Sequence, residues 1–141
     1  VNGDRQSGGR VLPGRLRVLV DWLERGHELG NHTHGHVDLH AVGLETYEQA
    51  ILDGERELRP LLAEAGTAPR WFRHPYPRAG RSVDDRAALQ AFLDAHGYRI
   101  APVTIDNSDW IWALAYRKAR EAAPDPARED TLARLRRDYV P

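Results

Sequence analysis

Three histidines fall on alternate positions in the segment Gly30-Asn31-His32-Thr33-His34-Gly35-His36, and His40 follows soon after. Neutral imidazole is the commonest protein metal ligand. His32 and His36 are four apart, a spacing that puts both rings on one face of a helical turn. His32, His34 and His36 together would share one face of a strand, although Gly30 and Gly35 disfavour a long regular one. Either arrangement suits zinc, which takes nitrogen ligands at about 2.0–2.1 Å. The plainer interpretation is a polar surface loop that happens to be rich in histidine.

Two further groupings carry reactive side chains. Phe72-Arg73-His74-Pro75-Tyr76 would end a strand in a guanidinium and a proline turn, at the end of a sheet where α/β folds place their ligands. Asp106-Asn107-Ser108-Asp109-Trp110 puts two carboxylates and an indole after a second strand. Taken singly, the first is also an ordinary exposed strand end. In the second, Ser108 or Asp109 could simply cap the next helix. Capping accounts for one acid but not for the pair beside a tryptophan. All three groupings follow plausible strands, in order, which is more specific than any one of them.

The elements needed to position them can be read from pattern. Arg15–Arg25 has apolar residues at helical spacing and stops at Gly26. His27–Asn31 reads as a brief strand. Thr46 and Gln49 have the spacing of a capping box, opening a helix that ends near Gly66, with Pro60 predicting a kink or an earlier end. A strand lies within Pro69–Tyr76. Ser82–Asp85 is a second cap signal, for a helix closing at Gly97. Tyr98–Ile105 is dense in β-branched residues, and its Pro102 argues for an edge or a bulge. Trp110–Ala123 reads as helix, and Asp125-Pro126 opens a last one reaching Tyr139. Val1–Gly14 reads as loop, with the tail of a strand at Val1–Gly3. Alternation of this kind predicts an α/β fold with parallel strands.

Composition narrows the function classes. The 141 residues include 20 basic and 21 acidic side chains, which gives no electrostatic reason to expect nucleic acid or an anionic membrane as partner. No apolar run approaches the roughly 20 residues that span a bilayer, and no signal peptide is visible. The chain has no cysteine, so a metal would have to be held by histidine and carboxylate. It also has no methionine and begins at Val1.

These residues resemble the polysaccharide deacetylase family, carbohydrate esterase family 4, with its chitooligosaccharide deacetylase homology domain. The family's second motif, His-Ser/Thr-x-x-His, is matched by His32–His36. Its third, Arg-x-Pro-Tyr/Phe, is matched by Arg73–Tyr76, and its fourth, Asp-x-x-Asp-Trp, by Asp106–Trp110. The resemblance covers residues 1–112 and leaves a helical part at 113–141, within one partial domain. It implies a partial distorted (β/α) barrel, a divalent metal (usually zinc) and a carbohydrate substrate that loses N- or O-acetyl groups. By position, His32 and His36 would be metal ligands. The Tyr76 amide would hold the oxyanion, and Arg73 would orient the catalytic aspartate. Asp109 would tune the general-acid histidine, while Pro75 and Trp110 would line the substrate pocket. His34 and His74 fall on variable positions and receive no role.

Two motifs of the family are missing. The first, Thr-Phe-Asp-Asp, supplies the base and the third metal ligand. The only adjacent aspartates here, Asp84-Asp85, come after the third motif. The last, Leu-x-His, supplies the general acid, yet no histidine follows His96. The expectation is an internal piece of a longer domain, inactive or nearly so alone, from a metal-dependent deacetylase. Pro77 stands where the family commonly has glycine, which points to an atypical branch. A non-catalytic carbohydrate-binding or scaffold protein on a degenerate deacetylase fold is the alternative, in which Trp71, Trp110 and Trp112 would stack on sugar rings. A His-x-His metallohydrolase of the amidohydrolase type ranks lower, because it expects a long apolar strand where the residues before His32 are polar.

Overall fold

An apolar stripe at Tyr47, Ile51, Leu58, Leu61 and Leu62 dictates the central element, helix α3 (Leu44–Glu64), in which all five are buried. The computed structural model describes residues 6–7, 10–11, 13–106, 108–122 and 125–139. They form two compact units, Val1–Pro102 and Val103–Pro141, which are taken separately.

In the first unit α3 serves two clusters. Its N-terminal half gives Tyr47 and Ile51 to a core that also holds Leu39, Phe72, Leu89, Leu93 and Tyr98. Its C-terminal half gives Leu58, Leu61 and Leu62 to a second core with Leu19 and Leu29. Each such side chain contributes about 1.5–3 kcal/mol by leaving water. Helix α1 (Pro13–Glu24) brings Leu19, with Leu16, Val20 and Leu23 packed alongside. Helix α4 (Val83–Ala95) brings Leu89 and Leu93.

The strands are short. Strand β3 (Trp71–Phe72) pairs in parallel with β4 (Arg99–Ile100) and, on its other side, with the single bridge residue Asn31. Asn31 N–H donates to Trp71 O at 2.7 Å, and Arg73 N–H donates to Asn31 O at 3.0 Å. The α/β arrangement with parallel strands is therefore present. Among the described residues the ribbon does not close into the barrel that the motifs imply. A separate antiparallel pair, β1 (Gln6–Ser7) and β2 (Arg10–Val11), was not foreseen. The strand tail expected at Val1–Gly3 lies outside the described residues.

Local signals fared unevenly. The cap at Ser82 forms: Asp85 N–H donates to Ser82 Oγ at 3.0 Å, and Ser82 N–H to Asp85 Oδ2 at 3.2 Å. The box expected at Thr46 does not. A short helix α2 (Leu39–Val42) precedes α3, Gly43 is the N-cap residue of α3, and Thr46 lies inside the helix. Nor does α3 stop at Pro60, because buried leucines continue the stripe past that exposed position. The strand expected over Tyr98–Ile105 is only Arg99–Ile100. Pro102 has no N–H to give a ladder, and Val103–Ile105 are exposed.

The second unit is a helical hairpin of α5 (Asp109–Glu121) and α6 (Pro126–Tyr139). Arg128 Nε donates to Ala119 O at 3.1 Å and Arg136 Nη2 to Tyr116 Oη at 2.7 Å, so the helices run antiparallel. Asp125 Oδ1 accepts the Arg128 amide at 2.7 Å, the cap expected there.

One position in the stripe of α3 carries no side chain. A Cβ on Gly54 would sit 2.7 Å from Asn31 Oδ1, 3.1 Å from His34 N and 3.1 Å from Thr33 C. The loop bearing the histidines thus lies on bare helix backbone. Glycine costs a helix interior about 1 kcal/mol relative to alanine. Gly54→Ala should nevertheless destabilise the fold, by about 1–3 kcal/mol in urea unfolding, because two of the three atoms met are backbone and cannot swing aside. A more stable Gly54→Ala variant would show that the loop does not rest there.

Candidate functional site

The sequence left open whether the histidines sit on a helix or a strand. They sit on neither. Thr33, Gly35 and His36 have φ of 64°, 74° and 54°, so the segment turns through left-handed backbone. This turn brings the His32 and His36 rings edge to face, with centroids 4.8 Å apart. His34, between them, points its amide at Ala50 O (2.8 Å) and is exposed.

The second grouping arrives at the same place from β3. His32 Nδ1 lies 2.7 Å from the carbonyl oxygen of Arg73. A carbonyl can only accept, so Nδ1 carries the proton and Nε2 keeps its lone pair. Backbone carbonyls orient metal-binding imidazoles in this manner. Burial pushes the His32 pKa below the ordinary histidine value. The Arg73 carbonyl acts in the opposite sense, and the nearby His36 charge lowers it further. His32 is therefore neutral at pH 7, the form that can bind a metal. The Tyr76 ring also meets His36 edge to face, with centroids 4.7 Å apart. Tyr76 itself has φ of 54° and is half exposed, with the Arg78 guanidinium 5.7 Å from its ring centroid. Arg78 in turn pairs with Asp38.

The Arg73 side chain extends the other way, Nη2 donating to Pro102 O at 3.1 Å. A cleft of about 550 Å³ lies here, bordered by His32, Arg73, Trp71, Glu28 and Pro102. Trp71 Nε1 donates to Glu28 Oε2 at 2.9 Å, and the Arg70 guanidinium covers its ring at 4.7 Å. One face of that indole is thus already taken.

The first unit therefore brings together His32, His36, Arg73 and Tyr76, and Pro75 is buried beside them in sequence. Asp109 and Trp110 belong to the second unit, where they open α5. Both are exposed, and Ser108 at the N-cap makes no side-chain cap bond. Asp106 Oδ1 accepts the Ser108 amide at 2.9 Å. Asp85, half of the one adjacent aspartate pair, is occupied in the Ser82 cap. Among the described residues no three histidines or carboxylates are grouped to hold a metal. The His32–His36 pair has the donor chemistry for a divalent cation, but two imidazoles would be one short of the three protein ligands usual at a catalytic zinc.

The family-level findings agree with the motif reading. Residues 15–99 match the polysaccharide deacetylase family model. The chain belongs to the polysaccharide deacetylase family. It is 28% identical over 102 residues to a chitooligosaccharide deacetylase of Sinorhizobium fredii, covering 72% of this chain and 44% of that protein. It is 33% identical over 85 residues to a peptidoglycan-N-acetylglucosamine deacetylase of Bacillus cereus, covering 60% and 28%. The chain thus spans less than half the length of these curated relatives. In fold it is similar to a family 4 carbohydrate esterase from Streptomyces lividans solved with acetate (TM-score 0.52, 22% identity, 89% of this chain and 64% of that one). It is also similar to a mutant of a family 4 pseudoenzyme with restored enzymatic activity (TM-score 0.53, 20% identity, 91% and 39%).

Sequence reasoning passed over His74, which is buried. Its Nδ1 is 3.3 Å from the Tyr47 hydroxyl, its ring meets Phe72 edge to face, and its Nε2 has no partner among the described residues. Burial, with a smaller contribution from His32, pushes its pKa down to about 4. The unfolded chain, with an ordinary histidine pKa near 6.5, binds this proton more readily than the native one. Stability should therefore rise with pH between about 4 and about 6.5, with His74 contributing on the order of 3 kcal/mol across the window. Urea midpoints of His74→Gln, measured against wild type over that range, should show the slope reduced; an unchanged slope would place the proton elsewhere.

Proposed function

We propose that the protein is a metal-dependent hydrolase that removes acetyl groups from amino sugars or other glycans, on a distorted (β/α) barrel to which this chain contributes an internal part. The observation that carries this reading is the pair of imidazoles 4.8 Å apart, one of them fixed through Nδ1 by the Arg73 carbonyl beside an open cleft.

In this reading His32, through Nε2, and His36 hold a divalent cation, with zinc the best fit to nitrogen donors and a chain without thiolates. When bound, the cation supplies Lewis acidity toward an acyl oxygen and a water. The chain's own groups do the rest of the positioning. The Tyr76 amide stabilises an oxyanion, a contribution of about 3 kcal/mol in comparable sites. The cleft beside His32 takes the sugar, and Pro75, fully buried and therefore not the sugar contact that its motif position implies, supports the turn that carries Tyr76. Arg73 orients a carboxylate base, and Asp109 and Trp110 keep the roles that their motif gives them. The third ligand, the base and the general acid come from outside these 141 residues, so the chain alone releases little or no acetate.

The test is zinc titration of the chain by calorimetry, followed by acetate release from acetylated chitooligosaccharide. Zinc should bind at one equivalent, and His32→Ala and His36→Ala should each weaken binding at least tenfold. Binding that survives both substitutions would remove the metal site from this loop. Metal-dependent acetate release by the 141-residue chain would refute the claim that it lacks essential groups.

A further inference from the structure

We infer that Asn31 is a positioning residue for the metal-binding imidazoles, acting by fastening their loop to helix α3 and to Tyr98, the residue that leads into strand β4. This deepens the reading of His32 and His36 as ligands and rests on it for its functional consequence.

Asn31 is 1% exposed and carries no charge, yet every polar atom of its side chain is engaged. Oδ1 accepts the Thr33 amide at 2.9 Å. Nδ2 donates to Ile51 O of α3 at 2.8 Å and to the Tyr98 hydroxyl at 2.9 Å. Tyr98 passes the chain on, donating to Glu55 Oε2 of α3 at 2.9 Å. The backbone of Asn31 is meanwhile the bridge to β3. One side chain thus joins the loop, the helix beneath it and the residue that leads into β4.

The loop needs such a tether. Thr33 is β-branched, wholly buried and held at φ of 64°, a conformation that costs a non-glycine residue roughly 1–3 kcal/mol. The Asn31 Oδ1 bond closes a turn through His32 that ends on the Thr33 amide, and His34 N–H to Ala50 O pins the far side of Thr33. Released from Asn31, the backbone would relax toward negative φ. Gly54 provides the clearance, since Asn31 Oδ1 occupies the space of its missing side chain. Asn31 touches no reacting atom; it acts through the orientation of its neighbours.

The experiment compares wild type, Asn31→Ala, Asn31→Asp and Tyr98→Phe in the whole chain. The first readout is amide hydrogen exchange in metal-free protein. In Asn31→Ala, exchange at Thr33 and His34 should rise at least tenfold more than at Leu89 and Leu93, which report global opening. The second is zinc affinity by competition with a chromophoric chelator. Outer-shell partners of metal ligands typically contribute 10–100-fold, and Asn31→Ala should lose that much. Asn31→Asp, which keeps the acceptor for the Thr33 amide but not the donors, should fall between. Tyr98→Phe removes one hydroxyl and should weaken zinc a few-fold, so it decides the matter should Asn31→Ala fail to fold. Equal rises at Thr33 and Leu89, or folded Asn31 and Tyr98 variants with wild-type zinc affinity, would overturn the inference. A wild-type chain that binds zinc no better than its His32→Ala/His36→Ala variant would instead sink the metal reading, and the exchange measurement would still decide whether Asn31 fastens the loop.

Discussion

The contact between the histidine loop and the uncovered backbone of α3 at Gly54 governs the first unit. An apolar stripe normally buries side chain against side chain. Here the stripe of α3 runs Tyr47, Ile51, then a gap at Gly54, then Leu58, with one hydrophobic cluster on each side of the gap. The loop fills that gap, and the two clusters hold the helix rigid beneath it. The helix forgoes roughly 1 kcal/mol of propensity at the glycine. In return Asn31 can reach the Ile51 carbonyl, and His34 can reach that of Ala50. A polar loop with three left-handed residues could not otherwise be buried without leaving amides unsatisfied.

The second and third motifs are joined by main chain more than by side chains. Parallel pairing of Asn31 with β3 sets the register, and that register brings the Arg73 carbonyl to His32 Nδ1. Ring orientation and tautomer then follow from a single acceptor, while burial lowers the proton affinity of the ring against the opposing pull of that acceptor. The guanidinium of Arg73 is free to serve a different purpose on the cleft side, where Pro102 O receives it. Tyr76 completes the group by packing on His36, so neither imidazole stands alone.

Signals confined to a few residues were legible in the sequence. Ser82 and Asp85 cap each other as their spacing required, and Asp125 does the same for α6, because each bond closes within one helical turn. The Thr46 box failed because a four-residue helix and Gly43, positioned by tertiary packing of Leu39, start α3 earlier. Residues 101–105 looked like strand by side-chain type, but after the Ala101 amide, which still donates to Phe72 O at 2.8 Å, strand pairing ends at Pro102, which has no N–H to give. The family and the clustering of His32, His36, Arg73 and Tyr76 could be read from motifs. The route by which the rings meet could not, since a spacing of four was compatible with helix or strand and the backbone uses a left-handed turn instead. Asn31 and Gly54 were both visible as letters, one next to the first histidine and one interrupting an apolar stripe. Their partnership is a contact between residues far apart in sequence, and no local pattern encodes it.

The hydrogen bond that fixes His32 comes from the peptide group of residue 73 and not from its side chain. Conventional alanine scanning is therefore blind to it: replacing Arg73 removes a guanidinium and leaves the acceptor where it was. Only an edit of the main chain itself, such as an ester in place of the 73–74 amide to weaken that oxygen, would probe the anchor separately from the arginine. By the same token this part of the site does not depend on the side chain at position 73, and a chain with another residue there keeps the acceptor that holds its first imidazole.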